Sequence, residues 1–331
     1  MKKYFASVLY RETGRQHLEA GKGCEDAVSS CYAKETGVQA ISLSDGAGSY
    51  ENAALGAELT AKTAAAFLAE KFELLYELDE ETAAAFLLKK VRTPLEAEAA
   101  KSGKDLLSYS ATLLCAALHP DGRFLVFHVG DGAVVGYSPK AGCKTVSVYE
   151  HQGPVNQTTF VTVDDTDYQF YRGRGEYAAF VLMSDGPEEF LANAQQVHSR
   201  VKLMIQLAYF VSEENMQEQL ESLVGLLKQK GMRDDASFAL LLDTQKTAAV
   251  FAGLSPQMKQ MLFGVEELGT KKLKQSVEIL DTITAYPNGA TVSQIARQLY
   301  FHSPKIAKKK MQFMLDMNLI EWANGRYYLS K

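Results

Sequence analysis

The sequence predicts an α+β fold, with sheets covered by helices and a small second unit toward the C-terminal end. Three observations carry the prediction. Short apolar runs of period two alternate with stretches of helical spacing, in the order strands, helices, strands, helices, strand. Several of the runs end or begin in aspartate beside a small residue. After residue 245 the pattern changes to short amphipathic helices closed by a hairpin signal. At 331 residues the chain exceeds one ordinary domain, and the expected division is 1–245 and 246–331.

Residues 4–10 read as an edge strand, and 11–23 as a polar loop leading to Cys24-Glu25-Asp26-Ala27-Val28. Strands bracket a turn near Glu35-Thr36-Gly37, the second ending Ile41-Ser42-Leu43-Ser44-Asp45. Asn52 to Phe72 is alanine-rich with apolar residues at helical spacing and predicts a long helix. Thr82 to about Ala100 predicts a second, with Leu87, Leu88 and Val91 on its apolar face and Pro94 as a kink or boundary. Strands return at Thr112–Leu118 and Phe124–Val129. Residues 150–177 are polar and irregular, and a loop of that length near a site is often functional. Asp164, Asp165 and Asp167 within it read as a solvated rim. Residues 187–230 read as mostly helical, and a last strand ends near Asp243.

Asp45-Gly46-Ala47-Gly48 is the stretch around which the rest is organised. Asp45 closes a strand, and the glycines let the backbone turn tightly, bringing a main-chain carbonyl close to whatever Asp45 binds. Gly130-Asp131-Gly132 and Ser184-Asp185-Gly186 repeat the device, and Arg233-Asp234-Asp235-Ala236 inverts it at a strand start. Any one of them reads equally as a hairpin turn, and Pro120-Asp121-Gly122 is read as an ordinary one. Antiparallel neighbours would bring three strand-end acids and one strand-start acid to one edge of a sheet. Like charges so close repel unless a cation sits among them. Oxygen donors with no Cys or His cluster point to Mg²⁺ or Mn²⁺, not zinc.

Hydrophobic residues make up 47% of the chain, enough for a sizeable core. The net charge of -5 conceals an asymmetry: residues 246–331 hold 12 Lys and Arg against 6 Asp and Glu, and the remainder 23 against 34. An acidic body suits a cation-binding cleft, and a basic tail suits an anionic partner. Cys24, Cys31, Cys115 and Cys143 show no paired spacing, so nothing suggests a disulfide scaffold. The absence of a signal-peptide pattern and of any membrane-length apolar run predicts a cytoplasmic protein with no membrane partner.

The ordered set Glu25-Asp26-Ala27, Asp45-Gly46-x-Gly48, Gly130-Asp131-Gly132, Ser184-Asp185-Gly186 and Arg233-Asp234-Asp235 resembles the metal-dependent type-2C (PPM) protein phosphatases, over about residues 4–243. The glycine-rich lead from Gly14 to Asp26 resembles a divergent bacterial branch. The resemblance implies a four-layer α-β-β-α sandwich and hydrolysis of phosphoserine or phosphothreonine in a protein substrate. It also implies two Mg²⁺ or Mn²⁺ ions and a weaker third. Asp45 would bridge two of them, and the Gly46 carbonyl would bind the second. Asp185 and Asp234 would complete the first, while Glu25 and Asp26 would act through water. Asp131 would support the third ion with Asp185, and Asp235, where the family commonly has Asn, would stand behind the ligands. The implied chemistry is in-line attack by water that two divalent ions activate, with no covalent enzyme intermediate. Two positions depart from the pattern: Ala47 where many members have His, and Gly21 where the phosphate-clamping Arg usually stands. Lys22, His17 and Arg15 are the candidate replacements, since any cation can pair with a phosphate.

The resemblance stops near residue 245. Ser255-Pro256 reads as a helix start, Lys271 to Ala285 as an amphipathic helix ended by Pro287-Asn288-Gly289, and Thr291 as the cap of Val292–Leu299. Ser303-Pro304 opens a longer helix to about Asn318, and 319–329 reads as a hairpin with an Asn-Gly turn. Helices followed by a hairpin resemble a winged helix-turn-helix domain. Lys305, Lys308, Lys309 and Gln312 share one exposed face, suited to DNA phosphates or to a protein partner, with Ile306, Phe313 and Met317 turned toward a core. The expected protein is a metal-dependent serine/threonine phosphatase with a regulatory or targeting winged helix. The alternative is a catalytically degenerate sensor of phosphorylated partners, or a DNA-binding regulator.

Overall fold

A computed structural model describes residues 4–148, 158–175, 177–193, 195–262, 270–286, 288–301, 303–316 and 319–329. The chain divides into two compact units, residues 1–205 with 213–243, and residues 206–212 with 244–331.

Among the described residues the first unit holds ten strands: β1 (Phe5–Glu12), β2 (Ala27–Tyr32), β3 (Gln39–Ser44), β4 (Leu113–Leu118), β5 (Arg123–Val129), β6 (Ala133–Ser138), β7 (Gly142–Val148), β8 (Gln169–Arg174), β9 (Ala179–Met183) and β10 (Ala236–Asp243). They form two five-stranded antiparallel sheets, ordered β1-β10-β9-β6-β7 and β2-β3-β4-β5-β8. The period-two alternation has a direct structural meaning in β3. Ile41 and Leu43 enter the core between the sheets with Leu114, Phe124, Phe180 and Leu241. Ala40 turns the other way into the core beneath the helices, and the Ser42 hydroxyl donates to the Ala61 carbonyl at 2.6 Å. The alanines of helix Ala53–Glu70 permit that close approach, since Ala57, Ala61, Ala64 and Ala65 are all buried.

Helix Glu80–Ser102 is capped by Asp79, whose side chain accepts from the Thr82 amide at 2.9 Å. It runs through Pro94, which therefore marks no boundary; buried Val91 and Leu95 anchor it on either side. The other sheet is covered by helix Glu213–Gln229, which buries Met216, Leu220, Leu223, Val224 and Leu227 at helical spacing. Gln217 of that helix donates to the Leu9 carbonyl at 2.9 Å.

Two segments read as loops contain regular structure. Residues 15–19 form a short helix, held where the Gln16 amide donates to the Arg233 carbonyl at 2.9 Å. The 150–177 stretch contains β8, paired antiparallel with β5; its residues 150–157 and 176 lie outside the described residues. Asp164 and Asp165 are exposed, as expected of a rim. All four cysteines are free thiols, and Cys115 is buried.

The second unit contains helices Thr247–Ala252, Pro256–Leu262, Thr270–Thr284, Val292–Gln298 and Pro304–Asp316, then a hairpin of β11 (Ile320–Ala323) and β12 (Arg326–Leu329). Ser255 Oγ accepts from the Met258 amide at 3.1 Å, and Thr291 forms a capping box with Gln294. Asn324 and Gly325 turn the hairpin with φ of 50° and 76°. An isolated bridge pairs Ala290 with Tyr327. Ile279, Ile283, Ile295, Met311, Met314 and Tyr327 share the core. Lys305, Lys308, Lys309 and Gln312 are exposed. Ile306 is exposed as well, at 40%, because the buried stripe of that helix is Ala307, Met311 and Met314. Pro287, Met317 and Asn318 lie outside the described residues. No helix among the described residues is long and apolar enough to cross a membrane.

Candidate metal centre

Strand ends place the aspartates. β3 and β5 end in one sheet, and β9 ends and β10 begins in the other. Asp45, Gly46, Asp131, Asp185 and Asp234 together line one cavity of about 360 Å³. The acids thus meet across two stacked sheets, not along one sheet edge as the strand pattern alone suggested. β5 and β6 belong to different sheets, so Gly130-Asp131-Gly132 crosses between layers instead of closing a hairpin. Gly132 has a φ of 91°, and a Cβ there would lie 2.6 Å from the Met183 carbonyl oxygen. Pro120-Asp121-Gly122 joins β4 to β5 within one sheet and is an ordinary turn.

Each acid is held by its surroundings. The Asp45 amide donates to Thr112 Oγ1 at 2.9 Å, and the Thr112 amide donates back to the Asp45 carbonyl at 2.9 Å. Thr158 Oγ1 donates to Asp131 Oδ2 at 2.7 Å. His128 Nε2 lies 3.1 Å from the Asp131 carbonyl oxygen, and burial pulls this imidazole down to about 4. It is neutral at pH 7, with Nε2–H donating. Asp185 opens helix Asp185–Leu191, and Asp234 Oδ1 accepts from the Asp235 amide at 2.9 Å.

The electrostatics of the acids favour a bound cation. Burial, then the charges of Asp26, Asp185 and Asp131, raise Asp45 well above the carboxylate range. Burial and the charges of Asp131, Asp234 and Asp26 push Asp185 up to about 7. Asp26, 2% exposed, is pushed up to about 6, chiefly by burial; Ser237, Asp45 and Ser184 are its neighbours, and none of them meets its oxygens in good hydrogen-bond geometry. Poorly satisfied buried carboxylates among acids that raise one another fit hard divalent cations, whose charge would reverse these shifts.

The remaining predicted residues are distributed around this centre. Glu25 is buried outside the cavity lining, with Oε1 3.0 Å from Lys22 Nζ. Lys22 also donates to the Gly48 carbonyl at 3.0 Å. Arg15 is exposed, pairs with Glu19 at 2.8 Å and does not line the cavity. His17 does line it, with Nδ1 2.9 Å from Asp235 Oδ2 and Nε2 3.5 Å from Glu25 Oε2. Burial works against its charged form, but the carboxylates of Asp235, Glu25 and Asp234 outweigh burial and raise its pKa. Asp235 is buried behind the cavity, its carboxylate accepting from the Gly14 and Glu25 amides. Thr112, Thr158 and Phe160 also line the site and were not singled out in the sequence. The long polar loop was the only signal for the last two, and Thr112 had none.

The protein phosphatase 2C sequence profile matches residues 13–225, which include Glu25, Asp26, Asp45, Asp131 and Asp185. No curated protein matches the chain. Among solved structures, a bacterial serine phosphatase is similar at 15% identity over 72% of this chain and 98% of that one, with a TM-score of 0.54. The serine/threonine phosphatase Stp1 from Staphylococcus aureus is similar at 16% identity over 72% and 94%, with a TM-score of 0.51. That of S. agalactiae is similar at 16% identity over 72% and 99%, with a TM-score of 0.50. At these identities the likeness concerns the fold. With the profile spanning most of the first unit, the chain belongs to the protein phosphatase 2C family.

Proposed function

We propose that the chain is a metal-dependent phosphatase acting on phosphoserine or phosphothreonine in proteins. The observation that supports it best is the convergence of Asp45, Asp131, Asp185 and Asp234 on one cavity, with Asp26 buried against Asp45. Asp45 and the Gly46 carbonyl, with Asp185 and Asp234, would hold two Mg²⁺ or Mn²⁺ ions. Glu25 and Asp26 would act through water, and Asp131 would support a third ion. When bound, the ions supply Lewis acidity toward water and the phosphoryl oxygens. The chain's own part is positional. Thr112 and Thr158 fix Asp45 and Asp131, and the strand ends keep the carboxylates from relaxing apart. No cysteine lines the cavity among the described residues, in keeping with direct attack by water.

One observation favours a second reading, a degenerate sensor of phosphorylated partners: among the described lining residues none is Lys or Arg. The second unit is read as a winged helix-turn-helix that regulates or targets the first, with its exposed lysines turned to a nucleic acid or an acidic protein. Hydrolysis of p-nitrophenyl phosphate and a phosphothreonine peptide, with Mn²⁺, with Mg²⁺ and with chelator, tests the proposal. Metal-dependent turnover is the expected result, and metal binding without turnover on either substrate would transfer the assignment to the sensor.

A further inference from the structure

His17 brings a nitrogen donor to an otherwise oxygen-lined cavity. Its Nδ1 is buried and stands 2.9 Å from Asp235 Oδ2, an ion-pair contact whose angle is poor for a hydrogen bond. One potential ligand atom from each of His17, Asp234 and Asp235 lies within 4.8 Å of the other two. Two adjacent donors, each about 2.1 Å from one octahedral ion, stand about 3.0 Å apart, so the Nδ1–Oδ2 spacing suits shared coordination. On the opposite edge of the ring, Nε2 faces Glu25 Oε2 at 3.5 Å. Glu25 is 8% exposed, and that oxygen is buried without a hydrogen-bond partner. With a metal on Nδ1 the ring proton would stand on Nε2, facing Glu25 Oε2; without metal the nearer Asp235 carboxylate favours a proton on Nδ1, so metal and proton compete for that atom.

We propose that His17, Asp234 and Asp235 bind a divalent first-row transition ion in preference to Mg²⁺, with His17 donating through Nδ1 and Glu25 orienting the ring. Imidazole suits transition ions, whereas Mg²⁺ prefers oxygen ligands, so this donor set separates the two classes. The Gly14 and Glu25 amides, which donate to Asp235 at 2.6 and 2.7 Å, hold its carboxylate against the ring. The inference rests on the metal-centre reading through Asp234 and Glu25, which both use. It also gives His17 a role other than clamping phosphate, since both ring nitrogens face carboxylates.

Mn²⁺ serves as the probe. It is added to the chelator-stripped full chain, and electron spin-echo envelope modulation then reports any nitrogen bound directly to the ion. The expected result is a directly bound histidine nitrogen whose coupling changes when histidine is labelled with heavy nitrogen. In His17→Gln that coupling should vanish, and calorimetric Mn²⁺ affinity should fall about tenfold with little change for Mg²⁺. The labelling arm uses the unmodified chain, so a misfolded variant cannot hide the answer. Bound Mn²⁺ without histidine coupling, or coupling that survives in His17→Gln, overturns the inference. Turnover without that coupling removes the His17 site and leaves the phosphatase reading standing; coupling without turnover does the reverse. A chain that binds no Mn²⁺ overturns the inference, and turnover with Mg²⁺ then decides the phosphatase reading separately.

Discussion

The Gly14 amide donates to Asp235 Oδ1 at 2.6 Å, joining the first loop of the chain to the start of β10. Because Asp235 Oδ2 also accepts from the Glu25 amide, one buried carboxylate ties both ends of the 14–25 segment to the Asp234-Asp235 peptide. Short amide-to-carboxylate bonds of this kind are among the stronger ones available to a fold. They place His17, Glu25 and Asp26 beside acids contributed from the far end of the first unit.

Gly14 has no room for a side chain: a Cβ there would lie 2.2 Å from the Asp234 carbonyl carbon. Gly14→Ala should therefore lower stability by about 1–3 kcal/mol, as other overpacked sites do. Asp235→Ala should cost as much or more, because it strands two buried amides. Thermal unfolding of both variants checks this, and an unchanged melting temperature in Gly14→Ala would show that the close approach is absent in solution.

Asp45→Asn should reduce metal-dependent turnover to background. In chelator the same variant should melt above the unmodified chain at neutral pH, since it removes one buried acid from a mutually repelling set. Loss of activity combined with a lower metal-free melting temperature would attribute the effect to misfolding and not to the centre.

The metal-free chain should be more stable at mildly acidic pH than at neutral pH. Asp26, Asp45 and Asp185 have folded pKa values raised above the unfolded value of about 3.9. Their contribution is fully present below that value and is lost as pH rises through the folded ones, about 6 for Asp26 and about 7 for Asp185. His128 acts oppositely: with its pKa lowered to about 4, its contribution is lost as pH falls from about 6.5 toward that value. Melting curves across this range, in chelator and in excess Mn²⁺, should show the neutral-pH loss only in chelator.

The exposed lysines of helix Pro304–Asp316 should govern any binding of duplex DNA. Replacing Lys305, Lys308 and Lys309 together by Gln should weaken binding by the full chain at low salt. The salt slope should shrink by about 0.9 for each phosphate that is no longer neutralised. No binding by the unmodified chain at low salt would remove nucleic acid as a partner and leave a protein surface as the role of this face.

Much of the fold was legible because local chemistry dictates local structure. Alternation in β3 sorted Ile41 and Leu43 from Ala40 and Ser42, since successive strand residues point to opposite faces. Thr291, Ser255 and the Asn324-Gly325 turn announced two helix starts and a hairpin. β8 was hidden because its sequence, Gln-Phe-Tyr-Arg-Gly-Arg, shows only part of the alternation and belongs to an edge strand open to solvent. Ile306 departs from its expected orientation because the placement of helix Pro304–Asp316 in its core selects Ala307, Met311 and Met314, and hydropathy cannot settle a stripe's edge.

The sequence by itself determined the acids, their strand ends, the sharp turns beside them and the uneven charge along the chain. These depend on side-chain chemistry and neighbours a few residues apart. Only the tertiary structure decided that the acids meet across two sheets, that Thr158 supports Asp131, and that His17 stands against Asp235. Pairings between residues so distant in the chain arise from how two sheets stack and where loops cross between them, and no local pattern encodes that geometry.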